Sequence, residues 1–127
     1  MDFLSSNTAL MLQRSMDYLW TKQSCILDNI ANAETPGYKT KYATFEEALQ
    51  QAVQSADKKN GTASGMRTAI EQAPIAVQQA EESTRLDDNG VNITEQMVEL
   101  SRNGYQMQYV LDAINSDLSL MLAAIKG

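Results

Sequence analysis

Asp87-Asp88-Asn89-Gly90 comes closest in residue type to a cation-binding loop, and its spacing argues against one. If Gly90 takes the glycine position of an EF-hand loop, Arg85 falls on the first ligand position and Gln96 on the last, where carboxylates are required. The two aspartates serve better ahead of a helix, facing the positive end of its dipole. Cys25 is the only cysteine and histidine is absent, so one chain can form neither an internal disulfide, nor a Cys-His nucleophile pair, nor a zinc site of the usual ligands. Lys22 lies three residues away, but a helical cysteine without a base is ordinarily a packing residue. Asp28 and Glu34 could be imagined as an acid and base pair, yet no neighbouring sequence would build a dry cleft around them. Glycine-rich phosphate loops are absent as well. The expectation is a protein with no catalytic residues, no metal and no cofactor.

The residues that stand out instead form the run Leu27-Asp28-Asn29-Ile30-Ala31-Asn32-Ala33-Glu34-Thr35-Pro36-Gly37-Tyr38-Lys39. Proline disfavours helical geometry in the residue before it, and glycine takes positive φ at little cost. Thr35-Pro36-Gly37-Tyr38 is therefore expected to end a helix and turn the chain. Side-chain amides at Asn29 and Asn32, beside such an exit, can cap backbone groups at a junction.

Two long helices must position this turn. From Thr94 to Ile125 the seam Ile93, Met97, Leu100, Gly104, Met107, Leu111, Ile114, Leu118, Met121, Ile125 alternates steps of four and three, the repeat of a coiled-coil stripe. Asn92 with Glu95 reads as the capping box that starts it. The N-terminal third steps similarly through Ser5, Ala9, Leu12, Met16, Leu19, Gln23, Ile26, Ile30 and Ala33. An all-α fold is expected, with residues 1–34 and 92–127 pairing as an antiparallel coiled coil. Residues 35–91 would form a turn, a short helix over Lys41 to Ala52 with Phe45 and Leu49 on one face, and a flexible segment. Within that segment Ser55 to Gly65 reads as a loop, while Ile70, Ile75 and Val77 suit either a short strand or an irregular extended stretch. A second apolar stripe runs through Leu4, Met11, Tyr18 and Cys25, with a counterpart in Val98, Tyr105 and Tyr109. A hairpin buries one face of each helix, so these stripes need either the middle segment or a neighbouring chain as partner.

Composition narrows the setting. Of 127 residues, 43% are hydrophobic but only 6% aromatic, which favours helices over a sheet-built enzyme. A net charge of −6 argues against a nucleic-acid partner, because such binding relies on Lys and Arg neutralising phosphates. No run approaches the ~18 apolar residues of a membrane span. Met1 to Ser6 has neither the positive start nor the apolar stretch of a secretory signal. Composition alone thus points to the cytoplasm and leaves export without a cleaved signal open.

Asn29-Ile30-Ala31-Asn32-Ala33-Glu34-Thr35-Pro36-Gly37-Tyr38 matches the pattern Asn-Ile-Ala-Asn-x-x-Thr-Pro-Gly-Tyr, and Asp88-Asn89-Gly90-Val91-Asn92-Ile93-Thr94-Glu95-Gln96-Met97, followed by Asn103 and Tyr105, matches a characteristic approach into a last helix. In both, the chain resembles the FlgB family of proximal rod proteins of the bacterial flagellar basal body. Thr-Pro-Gly-Tyr in so short a chain favours this family over the other small rod protein and over longer distal rod and hook subunits. The departures are the short, loop-like middle and Gly104, where alanine would pack better. The resemblance implies a leaderless structural subunit exported by the flagellar type III apparatus. It also implies assembly outside the cytoplasmic membrane at the rod base, beside copies of itself, other rod subunits and the membrane-ring adaptor. It assigns an assembly role to Asn29, Ile30, Ala31, Asn32, Thr35, Pro36, Gly37 and Tyr38, and Phe45 with Leu49 resembles the Phe-x-x-x-hydrophobic signal read at the export gate. The alternatives are another small axial subunit of the same apparatus, or a cytosolic helical export chaperone or adaptor.

Overall fold

The structure, a computed structural model of the chain, describes residues 7–59, 63–80 and 90–126. Along these the order is α1 (Asn7–Ala31), β1 (Lys41–Thr44), α2 (Glu46–Lys59), α3 (Ala63–Gln72), β2 (Ala76–Gln79) and α4 (Ile93–Lys126). The expected stripe positions Leu4 and Ser5, and the run Asp87 to Asn89, lie outside the described residues.

α1 contains neither glycine nor proline, and α4 only Gly104, so both run uninterrupted for 25 and 34 residues. At 1.5 Å per residue they extend about 37 and 51 Å. Asn92 starts α4 as expected, its Oδ1 accepting the Glu95 backbone N–H at 3.2 Å. The two helices pack antiparallel. Asn29 meets Gln96 at 2.9 Å, Lys22 Nζ meets Glu99 Oε2 at 3.4 Å, and Asn103 donates to the Leu19 carbonyl at 3.0 Å, so numbers fall along one helix as they rise along the other.

The face that α4 turns to α1 differs from the apolar periodicity by one residue. Leu100, Met107, Ile114, Leu118 and Met121 are half-buried as the seam requires, but Gln96 and Asn103 are buried. Met97, Gly104 and Leu111 lie outward, with Met97 52% exposed and no atom near the position a Gly104 side chain would take. On α1, Leu19 and Ile26 are buried and Leu12, Met16 and Ile30 half-buried. An apolar count cannot find this register, because polar partners create it. Asn103 Nδ2 also donates to Gln23 Oε1 at 2.9 Å, which offsets the desolvation that would otherwise hold Asn103 at the surface.

The middle corrects the all-α expectation. β1 and β2 form an antiparallel two-stranded sheet pairing Lys41 with Gln79, Tyr42 with Gln78, Ala43 with Val77 and Thr44 with Ala76. Lys41 to Thr44 is thus strand, and the short helix begins only at Glu46 and continues through Lys59, across part of the expected loop. The Ile70 region is helical in α3. Pro74 ends that helix, since the residue before a proline avoids α geometry, and the extended alternative holds for Ala76–Gln79. α3 packs on α1 with Ile70 and Ala73 buried, and the Arg14 guanidinium donates to the Ala73 carbonyl just past the helix end.

Asn103→Ala should lower the unfolding free energy by about 1–3 kcal/mol, because it removes the donor to the buried Leu19 carbonyl and to the half-buried Gln23 amide oxygen. Chemical denaturation of the purified chain measures this.

Candidate assembly junction

α1 ends because its last turn is capped from inside the motif. Asn32 donates from its backbone and from Nδ2 to the Asp28 carbonyl, at 3.0 and 2.8 Å, and its Oδ1 accepts the Thr35 hydroxyl at 3.2 Å. Thr35-Pro36-Gly37-Tyr38 then closes a turn through a 3.2 Å bond from the Tyr38 N–H to the Thr35 carbonyl. Gly37 has φ +74°, the left-handed value that a type II turn demands at this position, with proline before it.

The turn delivers the chain to Asn29, which is only 1% exposed. Its Nδ2 donates to the Lys41 carbonyl and to Gln96 Oε1, both at 2.9 Å. Its Oδ1 accepts the Lys41 N–H at 2.8 Å and the Tyr38 hydroxyl at 3.1 Å. A carboxamide has two donor hydrogens and two acceptor lone pairs, and here all four are used. Lys41 turns its N–H and C=O to this side chain, so Asn29 pairs with the outer edge of β1 as another strand would.

The second motif reaches the same place. The Gly90 N–H donates to the Tyr38 carbonyl at 3.1 Å, and the Thr40 hydroxyl donates to the Gly90 carbonyl. A side chain at Gly90 would meet the Tyr38 carbonyl at 3.1 Å and the Thr40 nitrogen at 3.4 Å, closer than ordinary van der Waals contact, so glycine eases this approach of the two backbones. Val91, next along, is fully buried.

Burial, and then the charge of Asp28, pushes the Tyr38 phenol and the Cys25 thiol above their ordinary values; Lys41 partly opposes this at Cys25. Cys25 is buried within the chain. Tyr18, on the same stripe, packs against Phe45 with ring centroids 5.6 Å apart, and the Arg14 guanidinium lies 5.3 Å from the Phe45 ring centre. The middle segment therefore covers the α1 stripe around Tyr18 and Cys25. Val98, Tyr105 and Tyr109, the α4 counterpart, remain exposed.

Of the residues singled out in sequence, Asn29, Asn32, Thr35, Pro36, Gly37 and Tyr38 meet in this junction. Ile30 is half-buried beside it and Ala31 is exposed. Phe45 is 2% exposed and Leu49 half-buried, at the start of α2. Gln96 and Asn103 belong to the second motif, but their burial, and the role of Lys41, escaped sequence reasoning, since polar residues carry no periodic signal of burial. Among the described residues no group of His, Cys, Asp and Glu is gathered to hold a metal ion, and no helix is long and apolar enough to cross a membrane.

Long antiparallel helices clamped at one end by a polar junction define a helical-hairpin class of protein, and the relatives name the kind. The flagellar basal body rod protein FlgB of Aeromonas hydrophila is 31% identical over 102 residues, 78% of this chain and 77% of that protein. The protein of the same name from Cereibacter sphaeroides is 30% identical over 115 residues, 84% of both, and that of Bacillus subtilis is 24% identical over 132 residues, 98% of this chain and 97% of that protein. No protein-family model matches the chain. The chain belongs to the FlgB family of flagellar basal body rod proteins.

Asn29→Ala should destabilise the fold by at least about 2 kcal/mol, since it strands several buried partners at once; thermal and chemical unfolding measure it. A second expectation concerns pH. The Tyr38 phenol is raised above its ordinary 10.0, so the stability it contributes is present below that value and lost as pH rises through the higher folded value. Above about pH 10 wild type should therefore lose stability more steeply than Tyr38→Phe, which has no phenol to ionise at this site.

Proposed function

We propose that the chain is a structural subunit of the proximal rod, exported by the flagellar type III apparatus and polymerised by burying helix faces between subunits. The observation that carries the reading is the meeting of the two motifs, Gln96 on Asn29 across 67 residues of sequence and Gly90 on Tyr38. It supports a role in which the hairpin end is held rigid and presented to neighbours. The outward Val98, Tyr105 and Tyr109 support it further, because a hairpin that were its own final structure would not leave such a face bare. In this reading residues 1–34 and 92–127 are the coiled-coil rod core, and residues 35–91 brace it. Its partners are copies of itself, other rod subunits and the membrane-ring adaptor. Its work is packing, without turnover.

Gly37 gives a direct test. No atom lies within 4 Å of an added Cβ, so a substitution acts through backbone strain alone. Gly37→Val should impair rod assembly and motility, because a β-branched residue at φ +74° costs on the order of 1–3 kcal/mol, whereas Gly37→Asn should be tolerated. Normal motility of cells carrying Gly37→Val would remove the assembly role of the turn. Crosslinking of the subunit in isolated basal bodies separates a proximal position from that of another small axial subunit by the neighbours captured. A cytosolic chaperone would instead be missing from those bodies.

Phe45 and Leu49 fit an export signal only if it is read before folding, since Phe45 is enclosed by Tyr18 and Arg14 once α2 has docked. Phe45→Ala should then lower secretion while cytosolic levels stay normal, and unchanged secretion would leave the pair with a packing role alone.

A further inference from the structure

Gly104 stands in the interior of α4, where glycine weakens a helix relative to alanine. Nothing inside the chain requires it: its φ is not positive, and a Cβ built there meets no atom within 4 Å. A helical glycine that its own fold does not need, on an exposed stretch, marks a place where something outside the chain comes close. The face around it is apolar. Leu19 and Ile26 on α1, and Gln96 and Asn103 on α4, are buried, and Trp20, Leu27, Met97 and Gly104 each follow one of them by a single residue, about 100° round the helix. The residues one step the other way line two grooves on the side where β1 and Phe45 lie. Tyr18 and Arg102 line one of about 690 Å³, bordered by Tyr105 and Tyr109, and Cys25 and Glu95 line one of about 380 Å³ beside β1. Because the helices are antiparallel, the forward step turns both toward the opposite side. There Trp20, Leu27 and Met97 are 59%, 49% and 52% exposed, and Ile93 and Leu111 extend the stripe along α4. The contacts of Asn29 with Gln96, and of Asn103 with Leu19 and Gln23, set Trp20 level with Gly104 and Leu27 level with Met97. The bulkiest side chain of α1 thus stands beside the one position of α4 that has none.

We propose that two copies of the chain pair through this face, with Trp20 of each entering the open space over Gly104 of the other. The face is self-complementary. A two-fold axis parallel to the helices lays α1 of one copy antiparallel on α4 of its partner, and the rotation that seats one Trp20 at Gly104 seats the other as well; Leu27 then meets Met97 twice. Four helices result, each antiparallel to its neighbours, as in a four-helix bundle. Trp20, Leu27, Ile93, Met97, Gly104 and Leu111 are all uncharged, so the contact neither repels itself nor strands a charge away from water. The missing Cβ lets the indole lie against the α4 backbone, and a buried tryptophan is a strong anchor at the centre of an interface. From Ile93 to Leu111 the stripe runs about 27 Å, and two helices side by side measure about 18 Å across, so the pair covers roughly 1,000 Å² in total. That is the lower bound for a specific interface and suits a pair that forms and parts reversibly. Such a pair closes on itself. It is therefore a state of the chain outside the rod, covering an apolar face until rod neighbours replace the partner copy, and it stands or falls independently of the rod reading.

Trp20 is the only tryptophan, so its fluorescence reports the contact directly. Sedimentation velocity of the purified full chain, from low micromolar to submillimolar concentration, should show a reversible monomer–dimer equilibrium, with Trp20 emission moving to the blue as the dimer forms. Gly104→Ala separates this contact from a role within the chain. It should raise the melting midpoint of the dilute monomer, because alanine favours the helix and its methyl meets nothing, and yet weaken dimerisation about tenfold by filling the space that Trp20 of the partner copy needs. Trp20→Ala should weaken dimerisation by a similar factor. A wild-type chain that stays monomeric throughout, associates beyond the dimer, or dimerises with its Trp20 emission unchanged overturns the proposal. So does a Gly104→Ala chain that dimerises as tightly as wild type, or whose dilute monomer melts lower. Crosslinking in basal bodies reads the place in the rod separately from all of these.

Discussion

Burying a carboxamide costs free energy unless its donors and acceptors are met, and around Asn29 all four are met. Its four hydrogen bonds run to three separate segments: the turn at Tyr38, the strand edge at Lys41 and the last helix at Gln96. Each bond fixes a different degree of freedom. Tyr38 sets where the turn returns to the helix, Lys41 sets the position of β1 and through it β2, and Gln96 sets the register of α4 on α1. An aspartate could not donate, and a glutamine would hold its amide one methylene too far out. The side chain also explains why so short a strand forms at all, since four residues of each strand would be marginal without α1 beneath them.

Gly90 completes the same constraint from the opposite direction. By lying against Tyr38 to Thr40 it brings the chain into α4 at the place where Gln96 can reach Asn29. The two recognisable motifs are therefore the two halves of one junction. Beyond it the hairpin is held more lightly. Asn103 and Gln23 put a second polar contact into the helix pair, and several large apolar residues of α4 face outward. Polar contacts are concentrated at the motif end, and apolar surface is left along the rest of α4.

The middle segment divides the second stripes unequally. Phe45 packs against Tyr18 and Arg14, and β1 lies over α1 near Cys25, so the α1 stripe is covered at Tyr18 and Cys25. Tyr105 and Tyr109 are left bare because Phe45, just ahead of α2, packs on Tyr18 at the α1 side of the groove and the α4 side stays open. One chain thus combines a covered face at Tyr18 and Cys25 with a bare one at Tyr105 and Tyr109.

What could be read from residues alone was local or periodic. Two long helices followed from uninterrupted stepping, the start of α4 from Asn92 and Glu95, and the turn from Pro36 and Gly37, because capping, proline geometry and positive φ act within a few residues. The family too was legible, since its motifs are contiguous. The tertiary structure decided what depends on partners far away in sequence. Gln96 and Asn103 displace Met97 and Gly104 from the helix interface because hydrogen bonds to α1 make their burial tolerable, and an apolar count has no means of registering that. Lys41 to Thr44 is a strand rather than the first turn of a helix because Asn29 and β2 take up its backbone groups. Both outcomes have one physical reason: a buried polar group is placed by its partner, and the partner is known only once the chain has folded.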